Sequence, residues 1–315
     1  MSDSGRQERR QPTSDRSESG APTGGHTIRD RFSSNEIFQR IVVAADDEIT
    51  ARPRKLVAGG LAAGFAITVT FLLFASLTAS TGGDPVGSAL LYPLGFIFII
   101  LGDYELYTEN TLPPVTLVLE RIASLPTLGR IWALVLLGNF AGGALGALAL
   151  SATGVLSSAS ATAATGFAEE AIETPWWTLF TKAMVAGLIV AGVVWVDYSL
   201  RDGIARIVMV YLAFLAIPVG NLYHVVVSWT EMLYLVFRGD LALAVGVWEF
   251  VAPVLLGNSI GGVLLVTVVN YFQTTERRVA TARVSEIQPL SAREWLLGGF
   301  GSDDRSYVPK REDRE

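Results

Sequence analysis

The chain has 315 residues, half of them apolar, a mean hydropathy of +0.42 and a formal net charge of −6. That is too apolar for an ordinary soluble protein of this length, and no basic stripe marks a nucleic-acid surface. With no cysteine, a disulfide framework and a thiolate metal site are both excluded.

Charge is unevenly spread. It crowds toward the two ends and leaves long uncharged stretches between, the pattern of a chain that crosses a bilayer repeatedly. Residues 1–34 are rich in Ser, Gly, Arg, Asp and Gln and hold no apolar core long enough for a signal peptide, so they are expected to form a disordered tail. A six-span transmembrane domain is expected over 35–278, followed by a cytoplasmic tail over 279–315 with a short amphipathic piece around Trp295. The six hydrophobic regions are 56–77, 89–123, 131–150, 176–196, 204–237 and 241–271. A long Ala/Ser/Thr-rich loop carrying Glu169, Glu170 and Glu173 separates the third from the fourth.

Orientation follows from the cations at the span ends. Arg52, Arg54 and Lys55 precede the first span. Arg121 and Arg130 fall between the second and third, Arg201 and Arg206 between the fourth and fifth, and Arg277, Arg278 and Arg283 after the sixth. All belong to one side, so both termini are expected in the cytoplasm and the protein in the cell membrane.

An internal repeat organises the chain. Residues 135–145 read VLLGNFAGGAL and residues 254–264 read VLLGNSIGGVL, with eight of eleven positions identical at an offset of 119. One copy lies in the third region and the other in the sixth. Three spans per half make the two halves, about 50–152 and 175–272, an inverted repeat. The paired glycines also suit close helix packing.

Two of the regions are interrupted. The second breaks at 102–114, where Asp103, Glu105 and Glu109 cannot sit in hydrocarbon and Pro113-Pro114 stops one helix and can start another. The thirteen residues before this break are too short to cross, so a loop folded into the membrane between half-helices is expected. The fifth region breaks at Pro218 through His224. An offset of 119 sets Glu105 against His224 and Glu109 against Ser228. Broken helices survive at membrane depth where the freed backbone is buried in protein or lines a cavity, so the two breaks are expected to meet at a pore. His224, Ser228 and Glu231 recur at i, i+4 and i+7 and share one helix face. Ionisable residues at that depth are functional candidates. Lys182, inside the fourth region, either contributes positive charge to the path or extends outward. Nothing assembles a nucleophile–base set, a metal cluster or a phosphate loop, so neither enzymatic activity nor a cofactor is expected.

These motifs together resemble the formate/nitrite transporter family. The resemblance is carried by Glu105-Leu106-Tyr107-Thr108 at the first break, His224 at the second, Leu256-Gly257-Asn258-Ser259-Ile260-Gly261-Gly262 in the sixth region, and Trp195 with Tyr198-Ser199 at the end of the fourth. It covers about residues 35–280. It implies an all-α, aquaporin-like protomer with broken second and fifth helices, assembled as a homopentamer in membrane lipid, with one pore per protomer. The implied solutes are small monovalent anions or their weak acids: formate, nitrite and hydrosulfide. It also places Thr108 and His224 on the permeation path. Family members carry an Asn in the fourth span, where this chain has Gly187, and a Lys before that span, where it has three glutamates. Leu106 and Tyr107 are expected to form a constriction, and Glu105 to fix its loop by accepting backbone N–H bonds. A histidine with an ordinary pKa of about 6.5 can hand a proton to a weak-acid anion near neutral pH. A path for a neutral solute or a cation, and a non-transporting membrane protein, are the alternatives.

Overall fold

Twelve helices, two of them single short turns of five to six residues, make up the ordered elements of the computed structural model, which describes residues 32–268 and 289–298. Residues 1–31 of the tail expected over 1–34, the end of the sixth region and most of the expected C-terminal tail lie outside the described residues. All described residues except Phe32 belong to one unit that begins at Ser33.

Helix α1 (Ser34–Ile49) opens on a capping box, in which the Ser33 hydroxyl accepts from Glu36 N and the Glu36 carboxylate accepts from Ser33 N. Its buried face, Phe38, Val42 and Ala45, packs on Val115, Leu117, Val118 and Leu128. Four helices are long and apolar enough to cross a membrane: α2 (Pro53–Thr81), α6 (Leu125–Ala152), α8 (Trp176–Ser199) and α11 (Leu243–Leu264). Helix α11 contains one π-helical stretch, Gly246–Val251, and runs into a second, Gly261–Val268. The first of these leads into Pro253, whose missing N–H and bulky ring a widened turn accommodates.

The interrupted regions are pairs of shorter helices. Short α3 (Pro85–Ala89) and α4 (Leu94–Leu101) precede the first break, and α5 (Pro113–Leu119) follows it. Helix α9 (Gly203–Val219), capped by Asp202, precedes the second break, and α10 (Val225–Arg238) follows it. The chain turns at both breaks through non-glycine residues in the left-handed region, Asp103 and Asn221.

Two elements depart from the sequence reading. The Ala/Ser/Thr-rich segment is a helix, α7 (Ser158–Glu173), not a loop. Ser160, Ala164, Ala168 and Ala171 recur at helical spacing and are buried; alanine is the strongest helix former, and that spacing is the signal. Part of the expected C-terminal tail is docked. Helix α12 (Ala292–Leu297) sets Trp295 Nε1 2.8 Å from Val118 O, and Leu290 N donates to Arg121 O. Replacing Trp295 by Phe keeps one aromatic ring and removes the N–H together with the rest of the indole. It is expected to cost about 1 kcal/mol, read as a drop of a few degrees in thermal melting.

Large apolar side chains cover the outside. Phe65 on α2, Leu137 and Leu145 on α6, and Ile204 on α9 are exposed, the inverse of a soluble protein and the arrangement a lipid solvent requires. Inside, α2 lies against α6 and α8 against α11 so closely that a Cβ on Gly64 would strike the backbone carbonyl of Asn139, and one on Gly187 that of Asn258. No side chain fits at 187, which is why an Asn cannot stand there.

Candidate functional site

The two breaks are held by two asparagines, one from each copy of the repeat. Asn139 Oδ1 accepts from Tyr107 N (2.9 Å), while its Nδ2 donates to Gly60 O (2.9 Å) and Glu105 O (2.8 Å). Asn258 does the same in the second half. Its Oδ1 accepts from Val225 N (2.8 Å), and its Nδ2 donates to Ala183 O (2.7 Å) and Tyr223 O (3.0 Å). Each amide side chain thus satisfies two backbone groups that an interrupted helix leaves unpaired and adds a bond to a carbonyl of a neighbouring continuous helix, α2 or α8. Both are buried.

These bonds correct the alignment of the breaks. Asn139 and Asn258 are 119 apart, but the backbone groups they hold, Tyr107 with Val225 and Glu105 with Tyr223, are 118 apart. Glu105 therefore corresponds to Tyr223, and it is Leu106 that corresponds to His224. The offset returns to 119 four to five residues on, where Gly143 faces Thr230 and Gly262 faces Thr111. The first copy is one residue shorter because it crosses this stretch as a turn and a 3-10 segment (Glu109–Thr111) where the second is already α-helical.

The clamps bring Thr108 and His224 together. Thr108 Oγ1 lies 2.8 Å from His224 Nε2, and both residues are buried. The tautomer decides which of the two donates. The other ring nitrogen, Nδ1, is buried and has no hydrogen-bond partner. Phe96 meets the imidazole edge-on, with centroids 4.9 Å apart, and stacks on Phe214 at 3.8 Å. Phe96 and Phe214 are again 118 apart. Sequence reasoning missed them, although their matching position before each break was a usable signal. The result is an imidazole and a hydroxyl, paired, in an apolar setting at the junction of the two halves.

The other sequence candidates are placed as follows. Leu106 is fully buried beside the pair. Tyr107 is tied into the scaffold: Ser259 donates to Leu255 O, so the Tyr107 hydroxyl donates to Ser259 Oγ (2.7 Å), and its ring abuts Trp132. Glu105 Oε2 accepts from the side-chain amide of Asn110 (3.4 Å), and among the described residues no backbone N–H donates to its carboxylate. Ser228 and Glu231 are buried on α10. Lys182 Nζ sits 5.6 Å from the centroid of the Tyr223 ring, next in sequence to His224.

Beside α1 a cavity of about 200 Å³ opens toward the first break. Asp47, Glu48, Asp103, Glu105, Glu109 and Asp197 line it together with Lys55. One oxygen each of Glu48 and Glu109 is buried without a hydrogen-bond partner. Burial pushes the Glu48 carboxyl well above the usual carboxylate range; Glu105, Glu109 and Asp103 act in the same direction and Lys55 opposes them. A cavity lined by six carboxyl groups and a single lysine favours protons and cations over free anions.

Residues 35–272 match the sequence model described as formate/nitrite transporter. The chain belongs to the formate/nitrite transporter family. This family member is 29% identical to the Inner membrane protein YfdC of Escherichia coli (strain K12), over 78% of this chain and 82% of that one. It is 26% identical to the Formate channel FocA of Haemophilus influenzae, over 71% of this chain and 88% of that one. Among solved structures it resembles an "FNT family ion channel" at a TM-score of 0.66 and 20% identity, covering 76% of this chain and 99% of that chain. It also resembles a "Pentameric formate channel with formate bound" at a TM-score of 0.62 and 18% identity, covering 70% and 97%. As a formate/nitrite transporter family member the chain is an all-helical, multi-pass membrane protein of a family of transporters, not enzymes.

Proposed function

We propose that this protein is a homopentameric cell-membrane channel or transporter for small monovalent weak acids of the formate, nitrite and hydrosulfide class, with both termini in the cytoplasm. The solute anion meets the Thr108–His224 pair, takes a proton there and crosses the apolar stretch as the neutral acid. The carrying observation is the buried 2.8 Å contact between Thr108 and His224, with the second ring nitrogen unpartnered. A free anion at that depth costs several kcal/mol, and a proton removes most of the cost. The acid-lined cavity fits this reading, because it gathers protons and disfavours the bare anion. The family, and the solved relatives described as an ion channel and as a pentameric formate channel, support the solute class and the assembly.

The same carboxylates support a second reading, a path for cations or neutral solutes. A solute survey in proteoliposomes separates the two. Formate, nitrite and hydrosulfide are expected to enter at least about tenfold faster than glycerol or ammonium, and faster in acid than in neutral solution. Ammonium or glycerol outpacing all three weak acids would establish the second reading instead.

A further inference from the structure

One face of α10 carries three buried polar side chains in a row. His224, Ser228 and Glu231 are 1%, 1% and 6% exposed. The sequence intervals place Ser228 about 6 Å and Glu231 about 10 Å along the helix axis from His224. None of the three is satisfied along this row. His224 Nδ1 and Ser228 Oγ are buried without a hydrogen-bond partner, and no described residue hydrogen-bonds the Glu231 carboxyl. Buried polar groups in native proteins are paired in roughly nine cases of ten. Two such exceptions, with the Glu231 carboxyl next along the same face, mark a face that meets something polar other than protein.

The row leads away from the acid-lined cavity. That cavity lies beside α1, which packs on the start of α6 through Leu128. Helix α6 has 28 residues, about 42 Å, and α7 follows its far end. Helix α10 packs on α7, and Glu170 of α7 accepts from Asn221 Nδ2 at the second break (3.3 Å) and acts on Glu231 through its charge, so Glu231 belongs to the α7 side. Tyr92 from the turn before α4 and Tyr223 from the second break also feel the Glu231 charge, and Lys182 of α8 stands over the Tyr223 ring.

We infer that Glu231 is the proton-exchange group of the α7-side mouth, connected to His224 by a short file of water that runs past Ser228. This deepens the weak-acid reading and rests on it. The Glu231 carboxyl releases its proton to the file and becomes a carboxylate. The Ser228 hydroxyl accepts one proton and passes on another, and a new N–H bond forms at His224 Nδ1. The resulting imidazolium gives a proton to the solute anion at the Thr108 side and returns to imidazole. Hydronium from the α7-side solution then restores the Glu231 carboxyl and leaves water. A carboxyl that cycles in this way also keeps a permanent negative charge out of the path of an arriving anion.

The test is formate uptake by the full-length protein in proteoliposomes, with initial rates taken across about pH 5–8. Glu231→Gln preserves size and hydrogen bonding but cannot cycle a proton. It is expected to lower uptake about tenfold or more and to flatten the pH profile. Glu231→Asp should restore most of both, and Ser228→Ala should fall between. Wild-type rates and profile in Glu231→Gln overturn the relay, and if that variant does not fold, a wild-type profile in Ser228→Ala does so. A purely structural carboxylate would lower the amount of folded protein and leave the shape of the profile unchanged, which also overturns it. Wild-type protein that carries no formate, nitrite or hydrosulfide at any pH removes the weak-acid reading and the relay together. A His224-dependent profile untouched by either variant removes the relay alone.

Discussion

Asn258→Ala is expected to destabilise the protein more than any other single truncation on α11. The side chain supplies three hydrogen bonds at once: Val225 N and Tyr223 O are backbone groups at the second break, and Ala183 O belongs to the neighbouring continuous helix α8. Truncation leaves Val225 N and Tyr223 O without partners in a buried setting and removes a further bond to a carbonyl of α8. Interhelical hydrogen bonds in membrane proteins contribute about 0.6–1.7 kcal/mol each, and orphaned buried groups cost about 1–3 kcal/mol. The total expected loss is about 2–5 kcal/mol, a fall of about 10 °C in the melting temperature of purified protein in detergent. Asn258→Asp should be no better, because a carboxylate cannot donate to the two carbonyls. Asn139→Ala should behave alike, since Asn139 holds Tyr107, Glu105 and Gly60 in the same way. Melting within about 2 °C of the wild type for both alanine variants would show that the breaks are held by something else.

The repeat was legible because the clamp requires it. An asparagine flanked by glycines is what a helix needs to reach an interruption in its neighbour while lying almost in backbone contact with another helix, and both copies retain it at an offset of 119. The correspondence between the breaks was less legible. Identity ends at the asparagine copies, and carrying their offset across the breaks ignores the residue that separates a turn from an α-helical start. That is why Glu105 was set against His224, where the hydrogen bonds set it against Tyr223. Ala/Ser/Thr-rich composition suggested a loop between the third and fourth regions, but its small residues are at helical spacing and bury one face. Phe96 and Phe214 were hidden in uniformly apolar runs, where periodicity carries no information about which side chain meets which. Thr108 and His224 could be nominated from residue type and position. Their contact could not, because it spans 116 residues and depends on both clamps.

The clamps, the short half-helices and the stacked phenylalanines converge on one imidazole. In this account the imidazole lowers the barrier for a solute that would otherwise cross an apolar stretch as an ion. Each tenfold in rate corresponds to about 1.4 kcal/mol, and positioned proton transfer commonly supplies 10²–10⁴-fold. His224→Ala leaves Thr108 without its partner, and nothing in this setting takes over the proton transfer. The Phe96–Phe214 stack and the two asparagine clamps do not depend on the ring, so the scaffold should persist, and a wild-type melting temperature would verify that. The decisive measurement is formate flux through wild-type protein and His224→Ala in proteoliposomes at about pH 5.5 and about pH 7.5. The account predicts a loss of about a hundredfold in the variant, with the residual flux losing the wild-type dependence on pH. Flux and pH dependence unchanged by His224→Ala would contradict it.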